Sequence, residues 1–152
     1  MPSTKLNLPR FLPYQLSIAS NAVSQLIATE YAARFGLRVQ EWRVIAVIGD
    51  REALAQRDLV TLTRMDKVSV NRAVRRLVER ELLDRVPNPG DGRSHRLALT
   101  KAGRALYEDV VPHALDIERQ VLKPLSRTER EQLWHLLERL RGSADRLIEK
   151  HD

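Results

Sequence analysis

The sequence predicts a mainly α, α+β chain: a lobe of three helices and a β-hairpin, flanked on both sides by longer helices. Three observations predict it. Apolar residues recur at steps of three and four through most of the 152 residues, the spacing of helices with one buried face. One stretch, Asn88 to Ser94, is dense in turn formers and lies between two short strand-like runs. The chain carries 26 Lys and Arg against 20 Asp and Glu, and residues 64–100 hold nine basic and five acidic side chains, net +4 of the total +6. A surface charged only for solubility would spread that excess, whereas a concentrated basic patch asks for an anion.

The elements follow in order. Met1 to Arg10, with Pro2 and Pro9 and no periodicity, reads as an extended arm. Pro13 to Phe35 reads as a helix with Leu16, Ala19, Val23, Leu26, Ile27 and Tyr31 on one face and Gly36 as its stop. Ser20 and Ser24 interrupt that face, either bonding back to the preceding turn or contacting a ligand. A second helix spans Val39 to Gly49, with Trp42, Ile45, Ala46 and Ile48 inward. Glu41 stands at the third position of a capping box, but Arg38 occupies the place of the capping Ser or Thr. Gln56 to Thr63 is a short third helix with Leu59, Val60 and Leu62 inward and a non-capping Ala55 before it.

Asp66 is placed to cap a fourth helix, Lys67 to Glu81, whose Val70, Ala73, Val74 and Leu77 fall within one narrow arc. Val68, Arg72, Arg75, Arg76 and Glu79 lie opposite, with Ser69 and Asn71 flanking. Leu83 to Pro87 and His95 to Leu99 read as strands of a hairpin, with Leu97 and Leu99 inward. Thr100 caps a fifth helix from Lys101 to Leu122, in which Pro112 is expected to introduce a kink. Ser126-Arg127-Thr128-Glu129 is a capping box opening a sixth helix with a stripe of Leu133, Leu136, Leu137, Leu140, Leu147 and Ile148. The divisions are residues 1–36, an arm and helix; 37–100, the lobe; and 101–152, the closing helices.

Several classes are excluded. With no Cys, there is no disulfide scaffold, Cys-ligated metal, cysteine nucleophile or thiol switch. No apolar run reaches a membrane span and no signal-peptide h-region opens the chain, so a cytoplasmic protein is expected. No Gly-x-Ser-x-Gly elbow, Walker loop or Gly-x-Gly-x-x-Gly occurs, and a hydrolase would need a nucleophile–base pair the chain does not offer. His113 with Asp116 and His135 with Glu138 have a chelating spacing but no further ligands, so neither metal nor cofactor is expected.

The order helix–helix–helix–strand–strand is that of a winged helix-turn-helix. In such a lobe the third helix props the fourth so that its basic face enters a major groove of double-stranded DNA. The DNA-contacting candidates on that helix are Lys67, Ser69, Asn71, Arg72, Arg75 and Arg76. Arg93 at the hairpin tip would reach the flanking minor groove, and Asp91 could pair with it and fix its direction. The stretch from Val68 through Asn71-Arg72-Ala73-Val74-Arg75-Arg76-Leu77 to Leu83-Asp84-Arg85 resembles MarR-family transcriptional regulators. Asp91-Gly92-Arg93-Ser94 and Leu97-Ala98-Leu99-Thr100-Lys101-Ala102-Gly103 continue the likeness in register. Arg38 and Ala55 depart from it at capping positions, as does Glu81, where a glycine is common, which suggests a tighter helix end.

The resemblance implies a homodimer with interleaved terminal helices, in line with apolar stripes on the first, fifth and sixth helices that one lobe cannot cover. It implies a ligand-responsive repressor on a pseudo-palindromic operator, released by a small aromatic or carboxylate-bearing effector. Ser20, Ser24 and Trp42 are the effector-contact candidates. The alternatives are a ligand-independent architectural DNA binder and a winged-helix protein-interaction module.

Overall fold

The computed structural model describes residues 5–152, so the first four residues of the expected arm lie outside it. The rest of that arm is not wholly extended: Leu8–Arg10 form a 3-10 turn. The elements that follow are α1 (Leu12–Phe35), α2 (Val39–Gly49), β1 (Leu54–Ala55), α3 (Gln56–Thr63), α4 (Lys67–Glu79), β2 (Leu83–Asn88), β3 (Asp91–Leu99), α5 (Lys101–Leu122) and α6 (Arg127–Glu149). The chain divides into two compact units, one through His113 and one from Ala114 to Asp152. The boundary lies inside α5, one residue past Pro112.

In the first unit the core is built from α2, α4 and the sheet. Val44, Ile45 and Ile48 of α2 are buried, as are Val70, Ala73, Val74 and Leu77 of α4 and Leu59 of α3. Trp42 and Ala46, expected inward, are half-buried, and Val44 takes the central place instead. Leu62, also expected inward, is 43% exposed, because the eight-residue α3 turns only Leu59 fully to the core. Arg38 and Ala55 supply no side-chain cap. Glu41 is instead 4% exposed, with an oxygen 3.6 Å from Arg80 Nη1. A buried carboxylate requires such a partner. Arg80 also donates to the Gly36 carbonyl at 3.0 Å, joining the end of α4 to the end of α1.

The sheet has three antiparallel strands in the order β1-β3-β2. The edge strand β1 was not expected; Leu54 pairs with Leu97 and Ala55 with Arg96. The hairpin turn is shorter than Asn88–Ser94, because β3 already begins at Asp91 and only Pro89-Gly90 separate it from β2. A register shift between Pro87 and Asn88 absorbs the mismatch.

The end of α4 also differs from the expected tighter turn. Glu81 adopts the left-handed conformation (φ 58°) that glycine usually fills. Leu82 N–H donates to the Leu77 carbonyl and Glu81 N–H to the Val78 carbonyl, both at 2.9 Å, which is the Schellman pattern. Thr100 then links the segments: its hydroxyl donates to the Glu81 carbonyl at 2.7 Å and accepts from Gly103 N–H at 2.9 Å, capping α5. Gly103 is required there, since a Cβ would stand 2.1 Å from the Leu82 carbonyl oxygen.

In the second unit α6 opens on the expected capping box: Ser126 accepts from Glu129 N–H at 3.1 Å, and Glu129 accepts from Ser126 N–H at 2.7 Å. None of its residues is buried. No helix of the described residues is long and apolar enough to cross a membrane.

Candidate nucleic-acid interface

The site begins at the cap of α4. Asp66 accepts from the Ser69 hydroxyl at 2.7 Å and from Ser69 N–H at 2.8 Å. These two bonds, the hydroxyl's first, hold the Asp66 carboxyl below its ordinary range. Ser69 has thereby committed its only hydroxyl proton, so it offers a partner lone pairs and no donor. It is half-buried.

Beyond the cap the face is set by burial of the opposite one. With Val70, Ala73, Val74 and Leu77 inward, Lys67, Val68, Asn71, Arg72 and Arg75 are exposed together, while Arg76 is half-buried. Val68 is 64% exposed, an apolar surface in a polar row. Asn71 Oδ1 accepts from Gln56 Nε2 of α3.

The wing places Asp91 and Arg93 on exposed positions of β3. The Asp91 carboxylate accepts from the main-chain N–H of Arg93 at 3.0 Å. The orienting bond is therefore to the backbone and not to the guanidinium, as the sequence had suggested. Asn88 shapes the tip as well, donating to Ser94 Oγ at 3.0 Å and accepting from Gly90 N–H at 3.3 Å.

A cleft between the start of α2 and α4 is lined by Arg38, Arg72 and Arg76, with Gln40, Glu41, Ser69 and Ala73. Arg38, noted in the sequence only for the missing cap, lines this cleft with its Nε 4.0 Å from Glu41 Oε1. The missing cap was the sequence signal for that place, because an uncapped helix start leaves N–H groups at its positive end. A second cleft between α1 and α2 is lined by Ser24, Gln25, Ala28, Ala32 and the run Leu37 to Gln40, with Arg43. Arg38 and Gln40 belong to both clefts. Of the effector candidates, Ser24 lines this cleft; Ser20 is exposed outside it. Trp42 lies elsewhere, edge-on to Tyr31 (ring centroids 5.6 Å apart) and stacked on Tyr107 (6.1 Å). Burial pushes the Tyr31 phenol above its ordinary value, so it is a neutral hydroxyl.

The comparisons with known proteins agree with this architecture. The MarR family profile matches residues 35–94. The MarR family transcriptional regulator SPO1453 from Silicibacter pomeroyi DSS-3 is 30% identical in crystal structure, with a TM-score of 0.78 over 92% of this chain and 99% of that one. Bordetella bronchiseptica BpsR, whose DNA binding is regulated by 6-hydroxynicotinic acid, is 26% identical, with a TM-score of 0.83 over 90% of this chain and 96% of that one. The HTH-type transcriptional repressor NicR of Pseudomonas putida is 30% identical over 96 residues, which are 63% of this chain and 61% of NicR. With a winged helix-turn-helix lobe and a likeness to SPO1453 over nearly the whole of both chains, the protein belongs to the MarR family of transcriptional regulators.

Proposed function

We propose that the protein is a homodimeric, ligand-responsive repressor that binds a pseudo-palindromic operator in double-stranded DNA. The observation that carries this reading is the exposed row Lys67, Asn71, Arg72 and Arg75 on α4, beside the exposed Arg93 of the wing. In this reading α4 enters a major groove, with Asn71 and the arginines at base edges and phosphates. Lys67, Arg76 and Arg38 hold the sugar–phosphate wall, Ser69 accepts from a base amino group, and Val68 offers methyl surface to a thymine. Asp91 sets the backbone from which Arg93 reaches into the minor groove. A second copy of the chain covers the apolar stripe of α6, giving two recognition helices about one helical turn of DNA apart. Such a protein works in the cytoplasm, where the DNA is.

The effector is placed in the cleft beside Ser24. By analogy with BpsR it is a hydroxylated aromatic acid, whose carboxylate Arg38 and Arg43 can pair. Arg38 would then be withdrawn from the phosphate. An effector shifts an equilibrium only by differential affinity, and this exchange supplies one. Ser20 and Trp42 are secondary candidates, on neighbouring surfaces of α1 and α2.

The test is selection of bound sequences from random DNA, followed by titration of the winner. Affinity should fall steeply with salt, and Arg38→Ala should lower that slope by about 1. Arg93→Ala should weaken binding about tenfold with an unchanged circular dichroism spectrum. A flat salt response, or full affinity without Arg93, overturns the reading. Failure of every aromatic acid to release DNA would leave a ligand-independent binder.

A further inference from the structure

Three side chains from three elements form a directed chain beside the recognition helix. Arg85 Nη1 of β2 donates to Gln56 Oε1 of α3 at 3.4 Å, and Gln56 Nε2 donates to Asn71 Oδ1 of α4. The direction is set by chemistry. A guanidinium has five donors and no acceptor, so the Gln56 atom facing Arg85 must be the oxygen. The Gln56 nitrogen is thereby turned to Asn71, and the Asn71 atom that meets it must be an acceptor. Gln56 thereby occupies one of the two lone pairs of the exposed Asn71 oxygen, and the Nδ2 amide group carries two donors for a partner.

This bears on what Asn71 reads, and it rests on the DNA-binding proposal above. An asparagine usually recognises adenine with both ends of its amide, the oxygen accepting from N6 and the nitrogen donating to N7. Gln56 holds that oxygen toward α3, which disfavours the first of these and leaves the donor end for the base. An amide left with its donor end fits best an edge with acceptors and no amino group: O6 and N7 of guanine, or O4 of thymine. It meets the amino groups of adenine and cytosine donor to donor, and adenine keeps only N7 as an acceptor against the two of guanine. We propose that Gln56, polarised by Arg85, is a specificity-determining positioning residue that makes Asn71 select a keto base, guanine or thymine, over an amino base. The wing strand thus takes part in base reading without touching the base.

Gln56→Glu tests the polarity. Glutamate at 56 still accepts from Arg85 but offers only acceptors to Asn71, so the Asn71 amide must turn and present its oxygen. Random-sequence DNA is selected with the full-length wild type, Gln56→Glu, Gln56→Leu and Asn71→Ala. The position whose preference is lost in Asn71→Ala is the one Asn71 reads. Wild type should prefer guanine or thymine there by about tenfold. Gln56→Glu should invert the preference to adenine or cytosine, whatever the added charge does to overall affinity. Gln56→Leu should free the oxygen and admit adenine. Adenine preferred by the wild type, no position sensitive to Asn71, or the same preference in all Gln56 variants would each overturn the inference. If the wild type enriches no sequence, the DNA-binding reading itself fails.

Discussion

Two helices of this chain have the same apolar period and opposite fates. In α4, Val70, Ala73, Val74 and Leu77 are all buried. In α6, Leu133, Leu136, Leu137, Leu140, Leu147 and Ile148 are between 39% and 58% exposed. Their polar faces differ too: residues 64–100 carry net +4, while residues 101–152 hold ten basic and ten acidic side chains. The period tells that a face is to be covered and not what covers it. For α4 the cover is its own chain, and the exposed remainder is a charged working surface. For α6 the stripe is too long and continuous for a lone soluble helix, and its neutral balance suits a second copy.

The comparison is broken most severely by attacking both helices. If a second copy covers α6 as proposed, Leu136→Glu with Leu140→Glu should give a monomer in sedimentation equilibrium where the wild type is a dimer. Operator affinity should fall about a hundredfold or more, because the two lobes no longer bind as one. Leu77→Ala should do the reverse: the mass stays dimeric, while stability to denaturant drops by about 2–5 kcal/mol. A dimeric mass in the double glutamate variant would remove α6 from the interface.

The same contrast explains what was legible in the sequence. The buried arc of α4 and both caps, Asp66 and Ser126, were readable because each depends on residues within one or two turns. The inward set of α2 was not, since Val44 and Trp42 lie on adjoining flanks of one apolar face. Which flank is central depends on where α4 packs. Glu41 read as half of a capping box because the nearer of its two ion-pair partners, Arg80, lies far along the chain, while Arg38 is the other. The two-residue β1 has no period to detect and exists only because β3 offers it an edge. In the wing, the glycines suggested a long loop, but Asn88 and Asp91 close their bonds within a few residues and let pairing run to Asp91. The candidate site was legible as a row of residue types. Which atoms of Ser69, Asn71 and Asp91 remain free was not, since that is decided by partners that periodicity does not show.

A smaller effect sharpens the α4 side of the comparison through pH. The Asp66 carboxyl is held below its ordinary value of 3.8 by Ser69. A depressed folded value means that the cap stabilises the lobe above the ordinary value and that this contribution is lost as pH falls through the lower folded one. Wild type should therefore exceed Asp66→Ala in melting temperature at neutral pH, and the difference should shrink as pH falls below the ordinary value of 3.8. The Ser126 cap of α6, being a hydroxyl, has no titration of its own there, so a Ser126→Ala difference should stay constant over the same range. An Asp66→Ala difference that stays constant on acidification would show that the carboxylate charge contributes nothing to the cap.

The smallest effect lies where α4 ends. Glu81 holds a left-handed backbone at φ 58°, which costs a residue with a Cβ roughly 1–2 kcal/mol. Thr100 and the Schellman bonds tie that conformation in place, so the chain cannot relax out of it. Glycine would remove the steric cost but add flexibility to the unfolded chain, worth about 0.5–1 kcal/mol in the other direction. The balance predicts that Glu81→Gly stabilises the protein by about 0.5 kcal/mol, read as a rise in denaturant midpoint at unchanged slope. A fall in midpoint would mean that the Glu81 side chain contributes more than its backbone costs. The proposed recognition helix would then be anchored at its far end by a contact at residue 81 and not by turn geometry alone.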